Sequence, residues 1–260
     1  MQESHAPFML DNPPENGVVI FLHGFMGSPR QFDRLATAVH KQGRTAAALL
    51  LPGHGTTARD FAAGTFARWQ SFVDAEVERF SGAYADVVLA GHSMGGLLAI
   101  NAATGCSYTI HSSIRGIFTI ACPFKLTTVS AYTIKVRLKQ AFSRKNNPII
   151  KSYRDGSSVP PSPSMIWHTR KPAAEIKKLM LAARENLPSL HSPVFAVYSA
   201  SDELTSVISL DIFKKELTGA RFEHLLLTDS LHAYYPEHEQ ALVEQALLGF
   251  TATNMTRRSR

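Results

Sequence analysis

Largely apolar runs of strand length alternate with amphipathic stretches of helix length along most of this chain. That rhythm limits the fold more than any other feature. "GVVIFL" (17–22), "RTAAALLL" (44–51), the runs at 86–90 and 115–121, "PVFAVYS" (193–199) and "RFEHLLLT" (221–228) read as strands. Between and after them, residues 30–43, 66–82, 94–104, 206–219 and 236–250 read as helices. In "FARWQSFVDAEVERFSG" the apolar residues fall three and four apart and stop at a glycine. Runs such as "GVVIFL" and "PVFAVYS", with no charge on either face, need cover on both. Helices between successive strands supply it and also make the long crossovers that parallel pairing requires. The expected fold class is therefore α/β, with a mostly parallel central sheet and helices on both faces. At 260 residues and 45% hydrophobic, the chain can fill one large core of this kind. Ligands of such sheets gather at the carboxyl ends of the strands.

Residues 125–190 break the rhythm. They hold thirteen Lys/Arg against three Asp/Glu, a local charge of +10, while the rest of the chain sums to −4. Helix-like stretches near 129–142 and 172–186 flank the loop "NNPIIKSYRDGSSVPPSPS", and the whole is too long for a simple connection. The expected organisation is a core made of 1–124 and 191–260, with 125–190 inserted as a basic helical lid or cap. The tail "TATNMTRRSR" is expected to fray.

The stretch "VVLAGHSMGGLLAI" (87–100) runs a strand into Gly91-His92-Ser93-Met94-Gly95 and directly out into a helix. A G-x-S-x-G pattern is common by chance, but a strand–turn–helix context is what a nucleophile elbow requires. The serine must stand on a strained turn, clear of the sheet. Side chains at positions 91 and 95 would crowd that turn, and Gly96 lets the helix approach closely. The N-terminus of the following helix also turns unpaired N–H groups toward developing negative charge.

A serine hydroxyl needs a base. Of eleven histidines, His232 follows the last strand and so emerges at the same sheet edge as Ser93. His92 is too close in sequence and is expected to point off the turn. A carboxylate must orient the imidazole, and Asp202, after the penultimate strand, is the first candidate. Glu203 stands next to it and Asp229 close to His232. The order Ser93…Asp202…His232 is the one that accompanies the elbow motif. An oxyanion hole is expected from the backbone N–H groups of Phe25, after the first core strand, and Met94, with His23 bracing the loop.

On these residues the chain resembles the α/β-hydrolases, across residues 17–250, and within them the small bacterial carboxylesterases and monoacylglycerol lipases. HGF at 23–25, "LPGHG" at 51–55, GHSMGG at 91–96 and the insertion after the strand at 115–121 carry the likeness. The sequence departs at Ser199, where the family often has Gly. The resemblance implies a serine hydrolase that cleaves short- to medium-chain acyl esters or monoacylglycerol-like lipids through an acyl-enzyme on Ser93. The alternative on the same triad is a thioesterase, acyltransferase or amidase. It also implies that His54 is structural.

Other chemistry finds no footing in the sequence. Gly53-His54-Gly55 lacks the Gly-Lys-Ser/Thr ending of a phosphate loop. Neither Cys106 nor Cys122 belongs to a disulfide framework, and no cluster has metal-ligand spacing. The expectation is no cofactor, no metal and no nucleic acid. The expected partner is a small-molecule ester, with peripheral contact between the basic lid and an anionic lipid surface. No run reaches membrane-spanning length and no secretory signal is visible, so the expected location is cytoplasmic. The sequence sets no oligomeric state.

Overall fold

The computed structural model describes residues 5–105, 112–127, 147–159 and 165–255. Seven strands form one sheet: β1 (Phe8–Leu10), β2 (Val18–Leu22), β3 (Thr45–Leu49), β4 (Val87–His92), β5 (Ile114–Ile120), β6 (Val194–Ser199) and β7 (Phe222–Leu227). Their order is β1-β3-β2-β4-β5-β6-β7, and every pair is parallel except β1 with β3. The described α-helices are α1 (Asp33–Lys41), α2 (Ala58–Ala62), α3 (Phe66–Ala83), α4 (Met94–Gly105), α5 (Pro148–Asp155), α6 (Met165–Asn186), α7 (Ile208–Glu216) and α8 (Glu237–Asn254).

The period-two alternation of a strand sends neighbouring side chains to opposite faces. Val18, Ile20, Leu22, Val87 and Leu89 join a core cluster with Trp69, Val77 and Phe80 of α3, residues of α4 and Phe213 of α7. Val19, Phe21, Val88 and Ala90 join a second cluster with Leu35 and Val39 of α1 and Val243, Leu247 and Phe250 of α8. Each large apolar side chain so buried is worth roughly 1.5–3 kcal/mol. An exposed ion pair such as Arg30–Asp33 is worth about 0–1 kcal/mol. The two apolar layers, not surface charge, hold the sheet in place.

Chain direction reverses at the middle of the sheet. From β2 the chain moves outward to β3, then returns to place β4 on the other side of β2. The loops leaving β2 and β4 therefore diverge and leave a crevice at their carboxyl ends, the switch point where open α/β sheets bind ligands. The HGF loop follows β2 and the serine turn ends β4, so both border that crevice.

Several sequence expectations change. The edge strand β1 goes unread in sequence because three residues, only partly buried, carry little periodic signal. The tail does not fray at once: α8 continues to Asn254 and Met255 is buried. The stretch near 129–142 lies outside the described residues, as do Cys106 and the termini. In the remainder of 125–190, the C-terminal half of α6 packs against the core. Its residues Leu179 and Ala183, with Leu187 just beyond, are fully buried in the same cluster as α4. The Asn186 side chain donates to Asn101 Oδ1 at 2.8 Å. The Glu175 carboxylate accepts the N–H of Phe66 at the start of α3. A stripe at three- and four-residue spacing (Ile176, Leu179, Met180, Ala183, Leu187) explains this, since it gives α6 an apolar face that must be covered. Among the described residues, no helix is long and apolar enough to cross a membrane.

Candidate active site

Ser93 ends the β4-to-α4 turn with φ of +53°, in the left-handed region. For a residue with a Cβ this costs of order 1–3 kcal/mol. The turn is held by the Ser93 N–H donating to Ile120 O (2.8 Å) and the Gly96 N–H donating to Ser93 O (3.0 Å). The glycines are needed for space. A Cβ on Gly91 would lie 2.3 Å from Gly95 C, and one on Gly95 would lie 1.9 Å from the Leu22 carbonyl oxygen. A Cβ on Gly96 would press on Cys122 at 3.1 Å. Met26 and Ala121 are the other described non-glycine residues with positive φ. They follow the HGF segment and β5, so all three strained positions lie at this sheet edge.

The fold brings the three expected side chains together. His232 Nε2 lies 3.0 Å from Ser93 Oγ, and His232 Nδ1 lies 2.9 Å from Asp202 Oδ2. An ionised carboxylate can only accept, so Nδ1 carries the proton and Nε2 is free to take one from Ser93. Asp202 is fixed in turn: its Oδ1 accepts the N–H groups of Leu204 (2.8 Å) and Thr205 (2.7 Å). Ser93, Asp202 and His232 are all buried. Burial alone pushes the His232 pKa down, but the Asp202 charge and hydrogen bond, aided by the Glu203 charge, outweigh it and the net shift is upward. Burial likewise pushes Asp202 up, and His232 with the two backbone N–H groups overcomes it, leaving the carboxyl below its ordinary value.

The HGF loop lies against the elbow. A Cβ on Gly24 would meet His92 Nδ1 at 2.9 Å and Ser93 Cβ at 3.2 Å, so the backbone leading into Phe25 passes beside Ser93. Met94 is the first residue of α4, where an N–H has no acceptor within the helix. His23 braces the loop as expected, since its Nε2 accepts the Leu51 N–H at 3.0 Å and its Nδ1 faces Gly24 O at 2.9 Å. His54 packs edge-on against His23 and Phe61, and burial lowers its pKa to about 4, so it is a neutral core residue.

The other two carboxylate candidates face elsewhere. Glu203 Oε2 accepts the backbone N–H of His232 at 3.0 Å, and its Oε1 receives the Tyr153 hydroxyl. Asp229 pairs with exposed His238 at 3.2 Å. Ser199, the departure from the family pattern, is a strut. Its Oγ donates to Ser230 O (2.6 Å) and accepts the Ser201 N–H (3.2 Å), joining the loop of Asp202 to the loop of His232.

Sequence reading missed two features. His92 does not point off the turn: its Nε2 lies 2.8 Å from the carbonyl oxygen of His232. α5 also reaches the site, because Ser152 Oγ donates to Ala233 O at 2.5 Å and Ser158, just past the helix, bonds through its N–H to Met26 O at 2.9 Å and through its Oγ to Gly27 O at 2.5 Å. These pairs are up to 140 residues apart in the chain, and no local pattern announces them. The fold also gathers Asp229, His238 and Glu239, which no spacing suggested as metal ligands. The Glu239 oxygens, however, already accept from Thr228, Asp229 and Ser230. A cavity of about 780 Å³ between α1, α5 and α8 touches His92 and Ala233 but is not lined by Ser93.

An elbow serine, a histidine relay and a switch-point crevice on a parallel sheet define a class. The chain belongs to the alpha/beta hydrolase family, whose model matches residues 19–244. It is 25% identical over 251 residues to the thermostable monoacylglycerol lipase of Bacillus sp. (strain H-257), an alignment spanning 95% of this chain and 94% of that protein. Among solved structures, one described as belonging to LipS and LipT, two metagenome-derived lipolytic enzymes, is similar with a TM-score of 0.74 at 21% identity, over 96% of this chain and 98% of that one. A soluble variant of monoglyceride lipase from Saccharomyces cerevisiae gives 0.71 at 16% identity, over 96% and 92%. At those identities the solved structures speak to the fold alone.

Proposed function

We propose that this protein is a serine hydrolase of carboxylic esters, working through an acyl-enzyme on Ser93. The observation that carries the reading is the relay itself, Ser93 Oγ to His232 Nε2 at 3.0 Å and His232 Nδ1 to Asp202 at 2.9 Å, on a strained elbow at the switch point. His232 takes the Ser93 proton as Oγ attacks the ester carbonyl carbon. The tetrahedral oxyanion is held by the backbone N–H groups of Phe25 and Met94, each such donor contributing roughly 2.7–4 kcal/mol. On collapse the C–O bond to the alcohol breaks, and the leaving oxygen takes the proton from Nε2. Water then gives its proton to His232, attacks the acyl carbon and releases the carboxylic acid, and Ser93 recovers its proton. Asp202 stays ionised throughout and holds the imidazolium.

Monoacylglycerols and other short- to medium-chain acyl esters are the proposed substrates. The name of the Bacillus relative supports this class. Residues 125–190 would act as a basic lid with a core-anchored C-terminal helix. Trp167, largely exposed and carrying the Arg170 guanidinium 5.6 Å from its ring centre, suits contact with an anionic lipid surface. A fluorophosphonate probe tests the mechanism. It should label the wild-type protein at Ser93 and leave Ser93→Ala unlabelled and inactive on an ester panel. A native protein that takes up no probe, or a Ser93→Ala variant that still turns over, refutes it.

A further inference from the structure

The side chain of His232 is only as well placed as the main chain that carries it, and that main chain lies on a loop. Both polar groups of the His232 peptide backbone are held by side chains from elsewhere. The N–H donates to Glu203 Oε2 at 3.0 Å. The C=O accepts from His92 Nε2 at 2.8 Å, and because a carbonyl can only accept, His92 must be the Nε2–H tautomer there. Neither holder touches the reacting hydroxyl. His92 precedes the nucleophile and packs its Nδ1 face on Gly24 of the oxyanion loop, and its ring centre lies 4.9 Å from that of His232. Glu203 follows Asp202 and is itself gripped by the Tyr153 hydroxyl of α5, whose neighbour Ser152 holds the next carbonyl, Ala233 O.

We propose that His92 and Glu203 are positioning residues which clamp the His232 main chain from the nucleophile's side and from the carboxylate's side, with α5 latching the second clamp. The inference rests on the serine-hydrolase reading above. Each clamp is built from the residue adjoining a member of the relay, His92 beside Ser93 and Glu203 beside Asp202. The three side chains are thus tied into one frame even though they lie on three separate loops. A buried carbonyl or N–H left without its partner would also draw the loop toward another arrangement. The titratable groups that act on His232 or on its carboxylates are Asp202 and Glu203 from the loop after β6, His92 from the elbow, Tyr153 from α5 and Tyr235 from the His232 loop. Burial lowers the His92 pKa to about 3, and burial raises those of both tyrosines, so all three are neutral at working pH. That leaves the two carboxylates as the charges felt by the imidazole, and Glu203 adds to the upward shift of His232.

The test is the kinetics of a soluble short-chain ester and of fluorophosphonate labelling for the wild type, His92→Leu, His92→Gln, Glu203→Gln and Glu203→Leu. Displacing a reacting group by about 1 Å can cost about 10²-fold. His92→Leu and Glu203→Leu should therefore lower kcat and labelling rate by roughly 10- to 100-fold with KM little changed. His92→Gln, which retains an N–H donor, should recover part of the loss. Glu203→Gln retains an acceptor but no charge, and should move the acid limb of kcat/KM to lower pH. Wild-type kcat in both leucine variants, or an unmoved acid limb in Glu203→Gln, overturns the clamp. If a leucine variant fails to fold, the isosteric Glu203→Gln profile and the Tyr153→Phe rate decide in its place. A wild type that does not label at Ser93 would instead refute the catalytic reading, so the two failures are distinct.

Discussion

Gly95→Ala adds one methyl group and reaches the site only through the backbone. The new Cβ would lie 1.9 Å from the Leu22 carbonyl oxygen, 2.6 Å from its carbon and 2.9 Å from His23 O. These are main-chain atoms of β2 and of the start of the oxyanion loop, so no flexible side chain can swing away. Restoring even a tight contact of 3.0 Å requires the first turn of α4 and the end of β2 to separate by more than about 1 Å. Overpacking of this kind destabilises by about 1–3 kcal/mol. In a protein of this size that corresponds to about 2–4 °C in Tm per kcal/mol. The effect on turnover is larger, because Met94 and Ser93 sit on the side that must move and a misplacement near 1 Å can cost about 10²-fold. The expected result is a folded protein, a few degrees less stable, whose ester kcat/KM and fluorophosphonate labelling both fall by about 10²-fold. Circular dichroism melts and stopped-assay kinetics on the same preparation measure the two quantities. A variant with wild-type labelling would show that the elbow's close approach to β2 is not what sets the nucleophile's position.

Three further outcomes are expected. Asp202→Asn should lower kcat by about 10⁴-fold with Tm little changed, because an amide in this place favours the wrong imidazole tautomer; turnover within tenfold of wild type would remove Asp202 from the role of orienting acid. The His232 pKa is raised above its ordinary 6.5, and the reaction needs the neutral base. A profile of kcat/KM should therefore lose activity as pH falls through a limb lying above 6.5, and a limb below 6 would contradict the ion pair. Ser199→Ala removes the partner of two groups, Ser230 O and the Ser201 N–H. It should destabilise by about 1–3 kcal/mol, read as a lower Tm; an unchanged melt would mean the strut carries no load.

The meeting of Ser93, Asp202 and His232 was legible in sequence because each follows a strand whose place the alternation of strands and helices fixes. Ser93 stands after β4, Asp202 after β6 and His232 after β7, and parallel strands of one sheet bring their carboxyl ends to one edge. The glycines around Ser93 were legible for a similar reason, since a strand cannot turn into a helix within five residues without close backbone contacts. The edge strand β1 and the end of α8 were not, being short or lacking contrast between polar and apolar positions. For α6 the basic composition of 125–190 concealed an apolar stripe that its helical spacing already contained.

What the sequence determined by itself, then, is the order of layers and which side chains meet at one sheet edge, because those follow from local period and from chain order along a sheet. Which side chain holds which loop was decided only by the tertiary structure. The grip of His92 on the His232 carbonyl, of Glu203 on its N–H and of Tyr153 on Glu203 joins parts of the chain 29 to 140 residues apart. Hydrogen bonds of that kind depend on distances set once the sheet has twisted and the helices have packed. No spacing along the chain encodes them.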